Sequence, residues 1–496
     1  MKILLVYPEM PDTFYSFKHL TRIVGRKASF PPLGLLTVAS MLPNDWELKL
    51  IDTNVNELED KDIRWGDMVF ISAMNTQANG AYKIIERCKS LNATIVAGGP
   101  LFTHEYDRFP NVDYFVLNEA EITLPLFLKD FKNNELKRIY KTNEFADIHE
   151  TPIPRWELVN LNDYAYSIVQ YSRGCPYFCE FCDITALFGR KPRTKTAEQI
   201  IEELETILRN GKPGIILFAD DNLIGNKGLL KAELLPKLIE WRDKNKYAPG
   251  FDTQVTINLS DDDELMQLMI EAGFRKLFIG IESLEEEALL EMNKKQNTKR
   301  NLLDTINKLH SKGFIIVGGF ILGLDTDTPE VFQNQIDFIN ESGMVLVSIN
   351  LLKAPIGTEL YNKMKKQGRL LSNLDFDETK SNMIHKMDKN ILDEGYRRVI
   401  ENIYSAESVF YRAKVFLSNK RPINVKNGIK RKTSFAEIMQ GARVAYLLGI
   451  KDNNRLYFWQ IFYWLFRNRK LRYLDLAAFF IALLYQYKMM KNQFVR

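Results

Sequence analysis

Residues 171–183 read Tyr-Ser-Arg-Gly-Cys-Pro-Tyr-Phe-Cys-Glu-Phe-Cys-Asp. This stretch holds Cys175, Cys179 and Cys182, three of the four cysteines of the chain, in a C-x3-C-x2-C pattern. The loop directly follows an apolar run that predicts a strand. A secreted disulfide framework spreads an even number of cysteines along a shorter chain, so three clustered cysteines indicate a metal site.

The spacing favours an iron–sulfur cluster over structural zinc. A four-iron cubane normally takes four thiolates, so three leave one iron open, and an open metal position can coordinate a substrate or cofactor. Zinc is the alternative, but it needs four ligands, and the five histidines (19, 104, 149, 310 and 385) lie far from the motif in sequence. Cys88 lies within an amphipathic helical pattern and is predicted to be buried.

The residues around the cysteine loop predict a barrel. Between residues 166 and 372, six short apolar runs alternate with helical patterns. Six β/α units of this spacing are typical of a partial (β/α)6 TIM-type barrel, which carries its active groups at the C-terminal ends of its strands. The predicted strands are residues 167–171, 214–219, 251–256, 276–281, 315–321 and 346–352.

Residues 1–140 predict a doubly wound, Rossmann-like α/β domain, because their apolar runs (3–7, 48–52, 68–74, 94–98 and 114–117) alternate with helical patterns. Ligands of such domains lie beyond the C-terminal ends of the strands, where Asn75, Gly98, Gly99 and Glu119 follow the predicted strands. The glycine pair either admits a ligand to the backbone or forms a tight turn. No G-x-G-x-x-G follows the first strand, which excludes the nicotinamide fingerprint. A linker with two prolines is predicted at 141–165.

The C-terminal part, residues 373–496, is predicted to be mostly helical, and it is basic. Residues 411–496 contain 18 Lys and Arg against 3 Asp and Glu, a net charge of +15 in a chain whose total is +4. A packed helical domain and an in-plane contact with a membrane both agree with this pattern, whereas recognisable RNA-binding motifs are lacking, so nucleic acid is an unlikely partner. The N-terminal residues do not resemble a signal peptide, which predicts a cytoplasmic protein. Membrane association is an alternative that rests on the basic C-terminal region.

The motifs resemble the radical S-adenosylmethionine (SAM) superfamily, which has a C-x3-C-x2-C loop after the first barrel strand and an aromatic residue, here Phe181, before the last cysteine. Further segments are similar in order: 218–222, 280–283, 318–323 and 355–361. Residues 30–35, 97–100 and 119–121 look like the cobalamin-binding domain that precedes the barrel in one large class of this superfamily. Residues 7–14 and 182–186 look similar to the subgroup that contains the hopanoid C-2 methylases.

This resemblance implies a role for each candidate residue. The three cysteines would hold a [4Fe–4S] cluster whose open iron binds SAM. The expected contacts to SAM are Phe181, Asp220, Asp221, Asn222, Glu282, Ser283 and Gly319. The expected contacts to cobalamin are Asn75, Gly98, Gly99 and Glu119. The D-x-H-x-x-G motif, whose histidine ligates cobalt in many cobalamin proteins, is absent here, as it usually is in this class.

The implied function is cobalamin-dependent methylation of an unactivated carbon, initiated by a 5′-deoxyadenosyl radical. The expected substrate is a small or lipid-like molecule, and the expected electron donor is a reducing partner such as flavodoxin or ferredoxin. Radical cyclisation, rearrangement or carbon–carbon coupling on the same scaffold is one alternative. A non-enzymatic cobalamin or redox sensor is another.

Overall fold

The computed structural model describes residues 1–12, 16–245, 247–371, 381–419, 441–443 and 445–474. Of residues 475–487 it describes all but 475, 478, 481 and 485. The predicted boundary at 372/373 and residues 13 and 14 of the opening motif lie outside this set.

The N-terminal residues form a six-stranded sheet in the order β2-β1-β3-β4-β5-β6, in which every pair is parallel. Strand β1 is buried on both faces, because Ile3, Leu4, Leu5 and Val6 have no exposed surface. Helices α2 and α6 cover one face, and α3, α4 and α5 cover the other. The doubly wound fold is therefore confirmed, and a sixth strand, β6, extends it beyond the five predicted. Strands β1–β6 are Lys2–Tyr7, Glu47–Asp52, Met68–Ser72, Ile95–Gly98, Tyr114–Val116 and Ile139–Tyr140. Helices α1–α6 are Lys18–Ile23, Leu33–Met41, Asp60–Trp65, Ala78–Ser90, Pro100–Glu105 and Ala120–Asn133.

The middle of the chain forms the predicted partial barrel. Six parallel strands lie in chain order, β7-β10-β11-β12-β13-β14, so each β/α unit follows its neighbour around the sheet. A short antiparallel hairpin, β8 with β9, was not predicted, and it flanks the cysteine loop. Strands β7–β14 are Ser167–Val169, Ser172–Arg173, Arg193–Thr194, Ile215–Phe218, Gly250–Gln254, Phe274–Glu282, Ile315–Leu322 and Leu346–Leu351. Helices α7–α15 are Ile184–Phe188, Ala197–Asn210, Lys227–Leu229, Leu235–Lys244, Asp263–Ala272, Glu286–Glu291, Leu302–Lys312, Glu330–Ser342 and Glu359–Lys366.

The segment between the two sheets is packed rather than extended throughout. It contains three short 3-10 turns, and Trp156 in one of them is fully buried together with Leu36 of α2 in the core of the barrel. The hydroxyl of Tyr164 donates a 2.9 Å hydrogen bond to Asp52 at the end of β2. These contacts join the two sheets into one body.

The C-terminal helices cover the outside and the underside of the barrel. They are α16 (Lys389–Ile403), α17 (Ala406–Asn419) and α18 (Arg455–Arg467), and the first two pack on α14. Near the end of the chain, Tyr487 donates a hydrogen bond to the Val345 carbonyl, one residue before β14 begins. The N-terminal ends of the barrel strands are thus covered, and the chemistry is left to the C-terminal ends. None of the described helices is long and apolar enough to cross a membrane.

Candidate active site

The cysteine loop is anchored by backbone hydrogen bonds on all sides. Gly174 has φ +90°, and a Cβ there would lie 2.9 Å from the carbonyl oxygens of Phe188 and Gly189, so only glycine fits this close approach. The amide of Glu180 donates to the Met292 carbonyl at 3.1 Å, and the Glu180 carbonyl accepts from Leu360 at 2.9 Å. The loop is therefore held against segments that follow β12 and β14, at the C-terminal end of the barrel.

Cys175, Cys179 and Cys182 are free thiols near one another at this end of the barrel. Burial raises the pKa of all three, that of Cys182 to about 12, and the positive charge of Lys294 opposes the rise in each case. Among the described residues, no three His, Cys, Asp or Glu side chains converge tightly enough to hold one metal ion. A cubane binds each of three thiolates at a different iron and leaves the fourth iron open, which is the chemistry that three neighbouring cysteines can support.

The segment 293–297, which the sequence analysis did not single out, lines the cysteine site. Lys294 lies 2.9 Å from Glu282 and 5.9 Å from the centre of the Phe181 ring. The Gln296 amide nitrogen lies 3.9 Å from the Cys179 sulfur, and Asn293 donates to the Phe178 carbonyl at 2.8 Å. A single loop thus supplies a cation and amide donors to the site. No periodic pattern marks it, because it lies outside regular helix and strand.

Asp220, Asp221 and Asn222 follow β10 and occupy three different environments. Asp220 accepts hydrogen bonds from the amide and hydroxyl of Ser172, so it supports the start of the cysteine loop. Burial and the neighbouring charge of Asp220 raise the pKa of Asp221 to about 7. Asp221 Oδ2 and Asn222 Nδ2 are buried without a hydrogen-bond partner. Buried polar atoms are normally satisfied, so this pair is available to a ligand.

Glu282, Ser283 and Gly319 lie at or near the ends of β12 and β13. Glu282 has φ +67°, an uncommon value for a residue with a side chain, and pairs with Lys294. Ser283 is fully buried, and its hydroxyl accepts from the Glu285 amide at 3.1 Å. A Cβ on Gly319 would lie 2.8 Å from the Phe278 ring, so packing accounts for this glycine. Contact of these residues with SAM stays a prediction.

A small, largely apolar pocket opens to solvent beside Phe181. Its charged lining is formed by Glu180, Glu291, Asp325 and Lys363, and the Lys363 ammonium lies 3.3 Å from Glu180. The apolar lining consists of Phe181, Met292, Leu324, Leu352, Leu360, Met364 and Met383.

In the first sheet, all four predicted cofactor residues lie at or just beyond the C-terminal ends of their strands, as expected. Asn75 Oδ1 is buried without a hydrogen-bond partner and so has unused capacity for a ligand. Gly99 has φ +93°, and a Cβ there would lie 2.7 Å from the Ser72 hydroxyl. A Cβ on Gly98 would lie 2.6 Å from the Val116 carbonyl oxygen. The turn interpretation therefore accounts for Gly99, whereas Gly98 is explained by its close approach to the neighbouring strand β5. Contact of either glycine with a ligand stays a prediction.

Glu119, the fourth residue, is engaged by the barrel. Its carboxylate accepts from Arg173 at 2.8 Å, from Arg193 at 2.9 Å and from the Ala146 amide at 2.8 Å. Arg173 also pairs with Glu121 at 2.7 Å. All four charged side chains are nearly buried, and Arg173 directly precedes Gly174 of the cysteine loop. Glu119 thus ties the first sheet to this loop, and its contact with cobalamin stays a prediction.

His104 of α5 also lies between the two sheets, although it is far from the cysteines in sequence. A Cβ on Gly357, which follows β14, would lie 2.9 Å from the His104 ring. The charge of His104 interacts with that of Asp183, which lies beside Cys182. Burial lowers the pKa of His104, and its Nε2 is buried without a hydrogen-bond partner. Together with the Glu119 contacts, this shows that the C-terminal ends of the two sheets face each other.

Comparisons with protein families divide the chain into three parts. Residues 22–128 match the B12 binding domain, and residues 169–339 match the Radical SAM superfamily. Residues 358–496 match DUF4070, a domain of unknown function.

Two curated relatives match along most of the chain. An uncharacterized methyltransferase of Synechocystis sp. is 36% identical over 468 residues, which are 92% of this chain and 86% of the relative. The hopanoid C-2 methylase of Rhodopseudomonas palustris is 33% identical over 468 residues, which are 92% of this chain and 88% of the relative.

Solved structures show the same fold. The structure of the cobalamin-dependent SAM radical enzyme OxsB, with aqua-cobalamin and SAM bound, aligns with a TM-score of 0.65 at 18% identity and covers 99% of this chain and 79% of OxsB. The methyltransferase TsrM from Kitasatospora setae, with cobalamin and a [4Fe–4S] cluster bound, aligns with a TM-score of 0.57 at 15% identity and covers 74% and 78% of the two chains.

Proposed function

Because this chain belongs to the radical SAM enzymes that carry a B12-binding domain, we propose that it transfers a methyl group to an unactivated carbon of an apolar, lipid-like substrate. Its cofactors are a [4Fe–4S] cluster, SAM and cobalamin. The observation that carries the proposal is the similarity to a hopanoid C-2 methylase along 92% of the chain. The three neighbouring cysteines and the unpaired polar atoms of Asp221 and Asn222 in the barrel also support the proposal.

We assign Cys175, Cys179 and Cys182 as the cluster ligands. When bound, the cluster supplies the electron that cleaves SAM. Lys294 keeps a positive charge beside the three thiols and is itself held by Glu282. A cation at this position offsets the negative charge that three thiolates bring into a buried site.

We propose that the unpaired polar atoms of Asp221 and Asn222 bind the charged amino-acid end of SAM, next to the open iron of the cluster. The carboxylate of Asp221 then accepts from the SAM ammonium in a charge-assisted hydrogen bond. We place the adenine in the apolar pocket beside Phe181, which lies next to the cysteine loop. Glu282, Ser283, Asp220 and Gly319 complete the proposed surroundings.

Asp221→Asn tests this assignment. The substitution keeps the shape but removes the charge, so we expect the dissociation constant for SAM to rise about 10- to 100-fold, as the loss of a charged hydrogen bond predicts. Equilibrium titration of the anaerobically reconstituted protein with SAM measures it. Asp263→Asn, at an exposed carboxylate on a barrel helix, is the matched control and should leave the constant unchanged. Equal SAM affinity in wild type and Asp221→Asn would contradict the assignment.

For cobalamin, we propose the space between the facing C-terminal ends of the two sheets. The unused Oδ1 of Asn75 points to a polar ligand there, and the Gly98-Gly99 turn removes side-chain bulk beside it. When bound, cobalamin supplies the methyl transfer. Glu119 acts from the side by holding Arg173 and Arg193 at this junction.

We further propose that a reducing protein such as flavodoxin or ferredoxin supplies electrons, and that the enzyme contacts membranes peripherally. The first follows from the one-electron chemistry of the cluster. The second is supported by the basic, aromatic C-terminal region.

Omitting cobalamin during reconstitution tests the methyl transfer. We expect cobalamin-free enzyme to form 5′-deoxyadenosine from SAM and no methylated product. The complete enzyme should add about 14 Da to a membrane-lipid substrate, whereas cyclisation would remove about 2 Da, masses that follow from which chemistry the cofactor carries. Mass spectrometry of total lipid extracts measures both. Methylation that proceeds equally without cobalamin would contradict the proposal.

A further inference from the structure

Helix α18 is apolar on two opposite sides. Phe458, Ile461 and Leu465 are buried on the side that packs on α17. On the other side, Leu456, Trp459, Tyr463 and Phe466 are between 52% and 68% exposed. Their spacing of three, four and three residues forms one stripe along the helix. A surface helix normally has a polar outer face, so this exposed stripe calls for a partner.

The stripe continues onto the turn that precedes the helix. The Trp459 indole donates a 2.8 Å hydrogen bond to the Gly449 carbonyl, which fixes the ring. Tyr446 and Ile450, on either side of this contact, are each more than half exposed. We call the exposed residues Tyr446, Ile450, Leu456, Trp459, Tyr463 and Phe466 the aromatic face.

Basic residues surround the aromatic face. Arg455 begins the helix, Arg467 ends it and Arg469 follows, and all three are exposed. Lys451, just before the helix, is exposed as well. Asp452 is the one acidic residue in the sequence from 441 to 474. The net charge at both ends of the stripe is therefore positive, which suits an anionic surface.

We propose that the aromatic face docks onto a membrane that contains anionic lipids. Tryptophan and tyrosine are favoured at the level of the headgroups, and arginines beside them pair with lipid phosphates. Helix α18 has 13 residues and is therefore about 20 Å long, too short to span a hydrocarbon core of about 30 Å, so it lies in the plane of the surface. A second copy of the chain would bring the same basic residues against themselves, which repels.

This docking deepens the membrane contact and the lipid-like substrate of the proposed function, on which it rests. The helix is firmly connected to the catalytic part, since α18 packs on α17 and α17 packs on α13 and α14 of the barrel. A docked aromatic face therefore holds the barrel at the surface where an apolar substrate resides. The proposal also assigns a function, docking to a membrane, to the region that matches DUF4070.

Sedimentation of the full-length reconstituted protein with lipid vesicles tests the proposal. We expect binding to vesicles of phosphatidylcholine with 30% phosphatidylglycerol, a composition chosen to be about one-third anionic, and much weaker binding to pure phosphatidylcholine. The double variant Leu456→Ser, Phe466→Ser should bind at least about tenfold more weakly, because two apolar side chains no longer leave water. Arg455→Ser and Arg467→Ser should each weaken binding to the anionic vesicles about fivefold, which is the contribution of one basic residue at an anionic surface.

The matched control is Tyr82→Ser, at an aromatic residue of similar exposure on α4 of the first domain, which should bind like wild type. SAM cleavage in solution should be the same in all variants, which separates failure of docking from failure of the proposed catalysis. Equal vesicle binding by the double variant, or no binding by the wild type, would overturn the proposal. So would a wild-type dimer in light scattering that the double variant converts to a monomer, since a second copy would then cover the face.

Discussion

Replacing Cys179 with alanine is expected to remove most of the bound iron and to lower the rate of SAM cleavage at least about a thousandfold, because the reaction belongs to the cluster rather than to protein side chains. Cys179 is the most buried of the three thiols in the loop. Alanine occupies less space and introduces no polar group, so the fold should persist. Iron analysis and the yield of 5′-deoxyadenosine after anaerobic reconstitution measure the effect.

Cys88→Ala provides the matched control for this experiment. Cys88 is fully buried in α4, in the core of the first sheet and away from the loop, as the sequence predicts. We expect the control to keep about four irons per chain, the content of one cubane, and to cleave SAM like wild type. Full iron content and cleavage in Cys179→Ala would contradict the ligand assignment, and the same loss in Cys88→Ala would point to general unfolding.

Replacing Arg173 with methionine is expected to lower the free energy of unfolding by about 3 to 5 kcal/mol, the usual cost of removing one partner from a buried ion pair. Arg173 holds both Glu119 and Glu121, and its loss leaves Glu121 with Thr151 as its remaining side-chain partner. Denaturation by urea, monitored by tryptophan fluorescence and by circular dichroism, measures the change. A decrease below about 1 kcal/mol, the value of an exposed pair, would contradict it.

Two further variants separate the buried charge from other effects of the substitution. Lys61→Met removes an exposed partner of Glu59 and should change stability by less than about 1 kcal/mol. The double variant Arg173→Met, Glu121→Gln should regain part of the loss, because it no longer buries an unpaired carboxylate. It also provides a folded protein if the single variant does not fold.

The effect of Arg173 should also depend on pH. Burial alone would raise the pKa of Glu121, but the charge and hydrogen bond of Arg173 outweigh burial and lower it. A carboxylate with a lowered folded-state pKa contributes stability that is complete at neutral pH and is lost as the pH falls below its ordinary value of 4.5. The difference in the free energy of unfolding between wild type and Arg173→Met should therefore become smaller at acidic pH.

The facing arrangement of the two sheets explains why the same residues serve stability and function. Arg173 precedes the cysteine loop and reaches Glu119 at the end of β5, so the junction that joins the domains also sets the position of Cys175. His104 and Gly357 close the other side of this junction. A cofactor bound between the sheets, as proposed, would lie close to the loop that carries the cysteines, and transfer between two cofactors requires such proximity.

Much of this molecule follows from local patterns in the sequence. The strands of both sheets were predicted to within a few residues, because buried parallel strands are short apolar runs separated by amphipathic helices. The cysteine motif could be identified because its three residues lie within eight positions of one another. The two-residue strands were missed, since β6 and the hairpin of β8 and β9 are too short to show periodicity.

The fold class and the cysteine motif could be read from the sequence alone, since each depends on neighbours along the chain. The set of cofactors followed from the resemblance of these motifs to a known family. Only the tertiary structure decided that Lys294 stands beside the thiols, that Glu119 is engaged by two arginines and that His104 meets the barrel. It also decided that α18 exposes an apolar stripe, because the sequence cannot tell which side of a helix that is apolar all round is covered. These features are contacts between segments separated by many residues, and the charges and apolar faces involved find their partners only when the chain is packed.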